Sequence, residues 1–229
     1  MHETPPQPQH SSYVIALKKY GKDAHDPLPP DERLPVSKDK IKKIQGVVGR
    51  ILLYARGVDS TFLVGLNSIA IQQTSATDNI PKRTEDLLDY AATHPDTKIR
   101  YRASEMILQT HTDASYLSEP KDQSRAAGHY FLGWLPQNNQ PIRLNVAIYT
   151  LCTVLKSVAS SAAESELGAL FLNIKEGRVL RLTLEEMGHP QPPTPIHCDN
   201  ATAVGIANET VKKHRSRPME MRYFTAATK

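Results

Sequence analysis

Hydrophobic and polar positions divide the chain into three stretches of different period. In the first of these, residues 37–93, apolar residues recur every three or four positions: Ile41, Ile44, Val47, Val48, Ile51, Leu52 and Tyr54. That spacing predicts a helix, and Ser37 ahead of it is a plausible N-cap. A second run from Phe62 to Ile71 continues in the same style. The stretch Thr74–Pro81 breaks it, and a third helix is expected from Lys82 to Thr93, ending at His94-Pro95. The pattern then changes. Ile99–Arg102 and Met106–Asp113 read as two strands around a turn, Gly128–Gly133 as another strand, and Ile142 to about Val154 as the next. These segments suit an antiparallel meander. A long helix is predicted from about Ala162 to Met187, with Leu167, Leu170, Phe171, Ile174 and Leu180 as its buried stripe and Gly177 weakening it at mid-length. Pro193–Asp199 then reads as a short strand and Ala201–Glu209 as a short helix.

Before residue 37 the pattern gives out. Residues 1–36 hold many of the prolines, densest in Asp26–Pro35, and are expected to form an extended tail, with Tyr13–Leu17 as a strand remnant. The expected division is therefore a Pro-rich tail over 1–36, a helical segment over 37–105, and a mixed α/β domain over 106–229. The start lacks the basic and apolar regions of a signal peptide. No apolar run approaches the roughly 18 residues of a membrane span. A soluble, intracellular protein with no membrane partner is expected.

Composition changes this picture little. Hydrophobic residues make up 39% and aromatic residues 6%, so the core rests on Leu, Ile, Val and Ala. The 28 basic residues exceed the 24 acidic ones by four, which permits a nucleic-acid partner without demanding one. Cys152 and Cys198 lie far apart with no CxxC partner, and the histidines form no HExxH pair. Neither a disulfide framework nor a zinc site is suggested.

Three acids occupy informative positions. Asp113 ends the first meander strand, Asp199 ends the strand after the long helix, and Glu166 lies in that helix's first turns. Ligands gather beyond the carboxyl ends of strands in sheets with helical cover. Neighbouring strands would bring the aspartates to one edge, and a helix across the sheet would add Glu166. Clustered carboxylates repel one another unless a cation neutralises them, and Mg²⁺ or Mn²⁺ suits such oxygen ligands. Each acid also has a structural reading: Asp113 as a turn residue, Asp199-Asn200 as a helix N-cap, Glu166 as a favourable charge near a helix start.

The ordered motifs go further. Ser160-Ser-Ala-Ala-Glu-Ser-Glu-Leu-Gly-Ala-Leu170, Ile196-His-Cys-Asp-Asn-Ala-Thr-Ala-Val204, His111-Thr-Asp-Ala-Ser115 and Arg125-Ala-Ala-Gly-His-Tyr-Phe131 resemble, in order and separation, the RNase H segment of Ty1/copia-type retrotransposon polyproteins. His214-Arg-Ser-Arg-Pro-Met-Glu-Met-Arg-Tyr-Phe224 resembles that family's basic stretch ending in Asp-Ile-Arg-Tyr. Upstream, Ile44 to Asp59 and Tyr90 to Pro95 are similar to the thumb and connection region of the reverse transcriptase, so the likeness spans about 40–224. The resemblance implies an RNase H-like mixed sheet preceded by a helical connection segment. It implies a nuclease for RNA–DNA hybrids with a two-ion Mg²⁺ or Mn²⁺ site on Asp113, Glu166 and Asp199, working beside the rest of the Pol polyprotein, in the cytoplasm or in virus-like particles. It favours Glu166 over Glu164 because Leu167, Gly168, Ala169 and Leu170 follow.

The chain also departs from that family. No Asp-Asp occurs, so the polymerase motif Tyr-x-Asp-Asp is absent. The family's further strand and last helix are missing, which reads as C-terminal truncation. Glu220 stands where relatives carry Asp and is a candidate fourth acid of the catalytic set. Lys212, Lys213, His214, Arg215, Arg217 and Arg222 are candidate phosphate contacts or a solvated loop, and Arg100, Arg102 and Arg125 could extend that face. The rival expectation is an inactive retroelement remnant, or a connection-like module that binds nucleic acid or a partner chain without cutting.

Overall fold

The computed structural model describes residues 5, 7–13, 33–119, 122–135, 137, 142–208 and 210. The chain divides into two units, at Ile99/Arg100. Glu220, the six basic residues between 212 and 222, and all of the Tyr13–Leu17 run except Tyr13 lie outside the described residues.

The first unit is helical. Helix α1 (Lys38–Gly57) starts where Ser37 accepts a hydrogen bond from the Lys40 N–H. It buries Ile44 and Val48, one four-residue step of the predicted apolar spacing, and Ala55 two turns further on. Helix α2 (Leu63–Gln72) buries Leu63, Leu66 and Ile69, and α3 (Asn79–Thr93) buries Ile80 and Leu87. Helix α3 begins three residues earlier than expected and takes in Pro81. A proline in the first turn removes no intrahelical hydrogen bond, so it does not end the helix. Phe62 packs edge-on to Tyr54 and Tyr90, with ring centroids 5.6 and 4.9 Å away. Asp59 turns the chain between α1 and α2 by accepting from the Thr61 N–H and from Thr97 Oγ1.

The second unit is α/β, with a four-stranded mixed sheet. Strands β1 (Ile107–Glu119), β2 (Gln123–Gly133) and β3 (Ala147–Val154) form the antiparallel meander that the sequence predicts. Helix α4 (Ala162–Glu186) follows, then β4 (Ile196–Cys198) and α5 (Ala201–Ala207). The order is β3-β2-β1-β4, with β4 parallel to β1. Ile99–Arg102 is not a strand, and β3 starts five residues later than expected. Strand β1 runs on to Glu119, so Asp113 lies at mid-strand rather than at its end.

Helix α4 lies across β1 and β2, and the face it buries differs in part from the one predicted, although Leu180 packs against the core of Leu108, Tyr130 and Leu184. Of the expected stripe only Leu170 is buried, while Leu167, Phe171, Ile174 and Leu180 are half-exposed. The buried positions are Ser165, Glu166, Gly168, Ala169, Leu170, Asn173, Gly177 and Leu184, mostly small or polar. Small residues let the helix approach the sheet closely, and polar atoms there must find partners. Asn173 finds four. Its amide nitrogen donates to Thr112 Oγ1, Ala127 O and Ala169 O, each at 2.9 Å, and its Oδ1 accepts from the Tyr130 hydroxyl at 2.6 Å. Gly128 makes room for this network, since a Cβ there would lie 1.8 Å from Asn173 Oδ1. Gly177 does not interrupt α4. It sits over Tyr130 and Thr110, which a Cβ there would meet at ordinary contact distance, 3.7 and 3.9 Å.

Candidate metal centre

Register brings the two aspartates together. The parallel β1–β4 ladder pairs Thr110 with Ile196, His111 with His197 and Thr112 with Cys198. Asp113 is the next residue on β1 and Asp199 the first after β4, both exposed. The short β4 ends there because Asn200 caps α5, its side chain accepting from the Ala203 N–H at 2.9 Å. The capping role considered for Asp199-Asn200 thus falls to Asn200, which leaves the Asp199 carboxylate free of it.

Glu166 arrives from the start of α4. Ser161 accepts from the Glu164 N–H at 3.2 Å, and the Glu164 carboxylate turns back to the N–H and hydroxyl of Ser160. That reciprocal cap commits Glu164 to the helix start. One turn in, Ser165 is locked to Ser124 of β2 by a 2.8 Å hydroxyl contact. Glu166 is consequently held in place, 6% exposed, and its Oε1 accepts from the Ala114 N–H at 3.2 Å.

Electrostatics single out the same residue. Burial pushes Glu166 up to about 7; the Ala114 N–H opposes this, and the neighbouring carboxylates of Asp113 and Asp199 add to it. Among the described ion pairs none joins a lysine or arginine to Asp113, Glu166 or Asp199. Among the described residues, three carboxylates thus meet with no lysine or arginine paired to them, one of them buried, which fits a bound divalent ion.

The structure adds Cys198, which sequence reasoning set aside for want of a cysteine partner. Ligand atoms of Glu166, Cys198 and Asp199 all lie within 4.8 Å of one another, and this group could hold a metal ion. The Cys198 thiol faces Glu166 Oε2 at 3.9 Å, and burial together with the nearby carboxylates raises its pKa. Its sequence signals were its place beside Asp199 at the end of a strand and within the Ile196-His-Cys-Asp-Asn motif. Register also reveals a histidine row, since His111 pairs with both His129 and His197 across three strands. The His111 and His197 rings lie 4.7 Å apart, and burial lowers the pKa of both, favouring the neutral form.

Arg125 is not a surface phosphate contact. It is buried on β2, its Nε and Nη2 each 2.8 Å from Glu119 Oε1. Arg100 and Arg102 are exposed.

Compared with known proteins, the chain matches no family model, no curated protein and no solved structure. No helix among the described residues is long and apolar enough to cross a membrane.

Proposed function

We propose that the α/β unit is an RNase H-type endonuclease for the RNA strand of RNA–DNA hybrids, belonging to a Ty1/copia-type retrotransposon Pol polyprotein. The observation that carries this reading is the meeting of Asp113, Glu166 and Asp199, from β1, α4 and the end of β4, with no neutralising cation among the described residues. The order of the sheet supports it: an antiparallel three-strand meander, a crossing helix, then a strand parallel to the first.

In this reading the two exposed aspartates present oxygens toward solvent, where a phosphodiester can approach. Glu166, anchored by the Ala114 N–H, braces the site from beneath. Mg²⁺ or Mn²⁺ bound there would supply an activated water and charge stabilisation for the departing 3′ oxygen. Recognition would follow duplex shape and 2′-hydroxyls rather than base sequence. The polymerase motif is absent, so DNA synthesis is left to other parts of the polyprotein.

The test is cleavage of a labelled RNA–DNA hybrid with Mg²⁺ or Mn²⁺. Asp113→Asn and Asp199→Asn should each lower cleavage on the order of 10²-fold or more, the scale of losing one preorganised electrostatic contact. A chain that binds hybrid but never cuts it, or whose cutting survives Asp113→Asn, would overturn the enzyme reading in favour of a non-cleaving module.

A further inference from the structure

The group of ligand atoms that lie within 4.8 Å of one another includes a sulfur. Two of the three side chains, Glu166 and Asp199, belong to the carboxylate set of the proposed Mg²⁺ site, on which the following rests. The third is Cys198, whose thiol comes from the strand position paired with Thr112.

We propose that Cys198 is a third protein ligand that lets this centre take thiophilic divalent ions, of the zinc and cadmium class, in competition with Mg²⁺. Mg²⁺ demands oxygen ligands and leaves a thiol out. Zn²⁺ and Cd²⁺ accept sulfur, nitrogen and oxygen together. Three protein ligands with the fourth position left to water are the usual arrangement of an open zinc site.

The geometry is close to that arrangement. Zinc–sulfur bonds of about 2.3 Å and zinc–oxygen bonds of about 2.0 Å put tetrahedral ligand atoms roughly 3.5 Å apart. The atoms of Glu166, Cys198 and Asp199 lie within 4.8 Å of one another, so contraction by about an ångström, within the reach of side-chain rotation, closes the set. The sulfur already faces a carboxylate of the set, Glu166 Oε2, at 3.9 Å. Burial grades from Glu166 through Cys198 to the exposed Asp199, which leaves a path from solvent. When the metal–sulfur bond forms, the thiol proton leaves to solvent.

Cadmium titration of the full chain tests this through the ultraviolet cadmium–thiolate charge-transfer band. The band should saturate near one equivalent, persist in Cys152→Ala and vanish in Cys198→Ala and Cys198→Ser. Zinc affinity, by competition, should fall more than about tenfold in the Cys198 variants, since even outer contacts contribute on that scale. A band absent from the wild type, or one that follows Cys152, overturns the proposal. Thermal stabilisation by Mg²⁺, measured on the same samples, reports separately on the carboxylate site. It should survive Cys198→Ala, and its loss there would count against a thiol reserved for soft ions. If Mg²⁺ never stabilises the wild type, the nuclease reading fails while the cadmium result still stands or falls on its own.

Discussion

Replacing Glu166 by Gln should stabilise the metal-free protein while removing its response to metal. Glu166 is 6% exposed and pushed up to about 7 from its ordinary 4.5. The folded protein therefore holds this proton more tightly than the unfolded chain does. The stability that the group contributes is fully present below about 4.5, declines as pH rises toward 7, and is flat above it. At 1.36 kcal/mol for each tenfold step, the gap from 4.5 to about 7 corresponds to roughly 3 kcal/mol. Water around the exposed Asp113 and Asp199 screens part of this, leaving about 1–3 kcal/mol. Glutamine carries no charge, keeps an oxygen for the Ala114 N–H, and offers its amide protons to the neighbouring carboxylates. Urea denaturation with chelator present should find Glu166→Gln equal to wild type near pH 4 and more stable by about 1–3 kcal/mol at pH 8. With millimolar Mg²⁺ the ranking should reverse as binding stabilises only the wild type. A variant that is less stable at pH 8 without metal, or a difference that does not change with pH, would refute the electrostatic reasoning.

Apparent Mg²⁺ affinity should fall about tenfold per pH unit below about 7, where the ion must displace the Glu166 proton, and level off above it; calorimetry in buffers of different ionisation heat reads the proton released. Asn173→Ala should lose about 2–4 kcal/mol by denaturation, because it opens a cavity, removes the amide donor to Thr112 Oγ1 and leaves the Tyr130 hydroxyl only the residue-173 carbonyl as acceptor. Gly128→Ala should destabilise by at least about 1–3 kcal/mol, since its methyl group would fall 1.8 Å from Asn173 Oδ1, and the loss should shrink in the Asn173→Ala background.

How far the sequence foretells this structure depends on the kind of interaction involved. The helices of the first unit follow an apolar spacing of three to four residues, and burial of Ile44, Val48 and Ala55 realises it. The meander was legible for a similar reason: β-branched and aromatic runs between turn residues leave few alternatives. Helix α4 was legible as a helix, but its buried face was not. Hydrophobicity pointed to Phe171 and Ile174 as well as to Leu170 and Leu180, whereas the sheet also accepts Ser165, Ala169, Asn173 and Gly177. Close approach and hydrogen bonding outweigh apolar area there, and no periodicity in hydrophobicity reports that. Strand limits suffered likewise, since the extension of β1 to Glu119 depends on its partner β2 rather than on its own residues.

The site divides along the same line. Asp113, Glu166 and Asp199 were visible because motif order, not local chemistry, joined them. What the sequence lacked was register. Only the β1–β4 ladder makes Cys198 the partner of Thr112, one position short of the aspartates, and sets its sulfur against Glu166. The same ladder aligns His197 with His111, and the β1–β2 ladder brings in His129. A one-residue slip of β4 would turn Cys198 to the other face of the sheet and separate Asp199 from Asp113. That dependence makes the centre a sensitive report on the β1–β4 pairing. It also gives the pairing a reason to be short: three ladder steps carry the chain to Asp199, and the Asn200 cap ends the strand before the carboxylate could be drawn into the sheet.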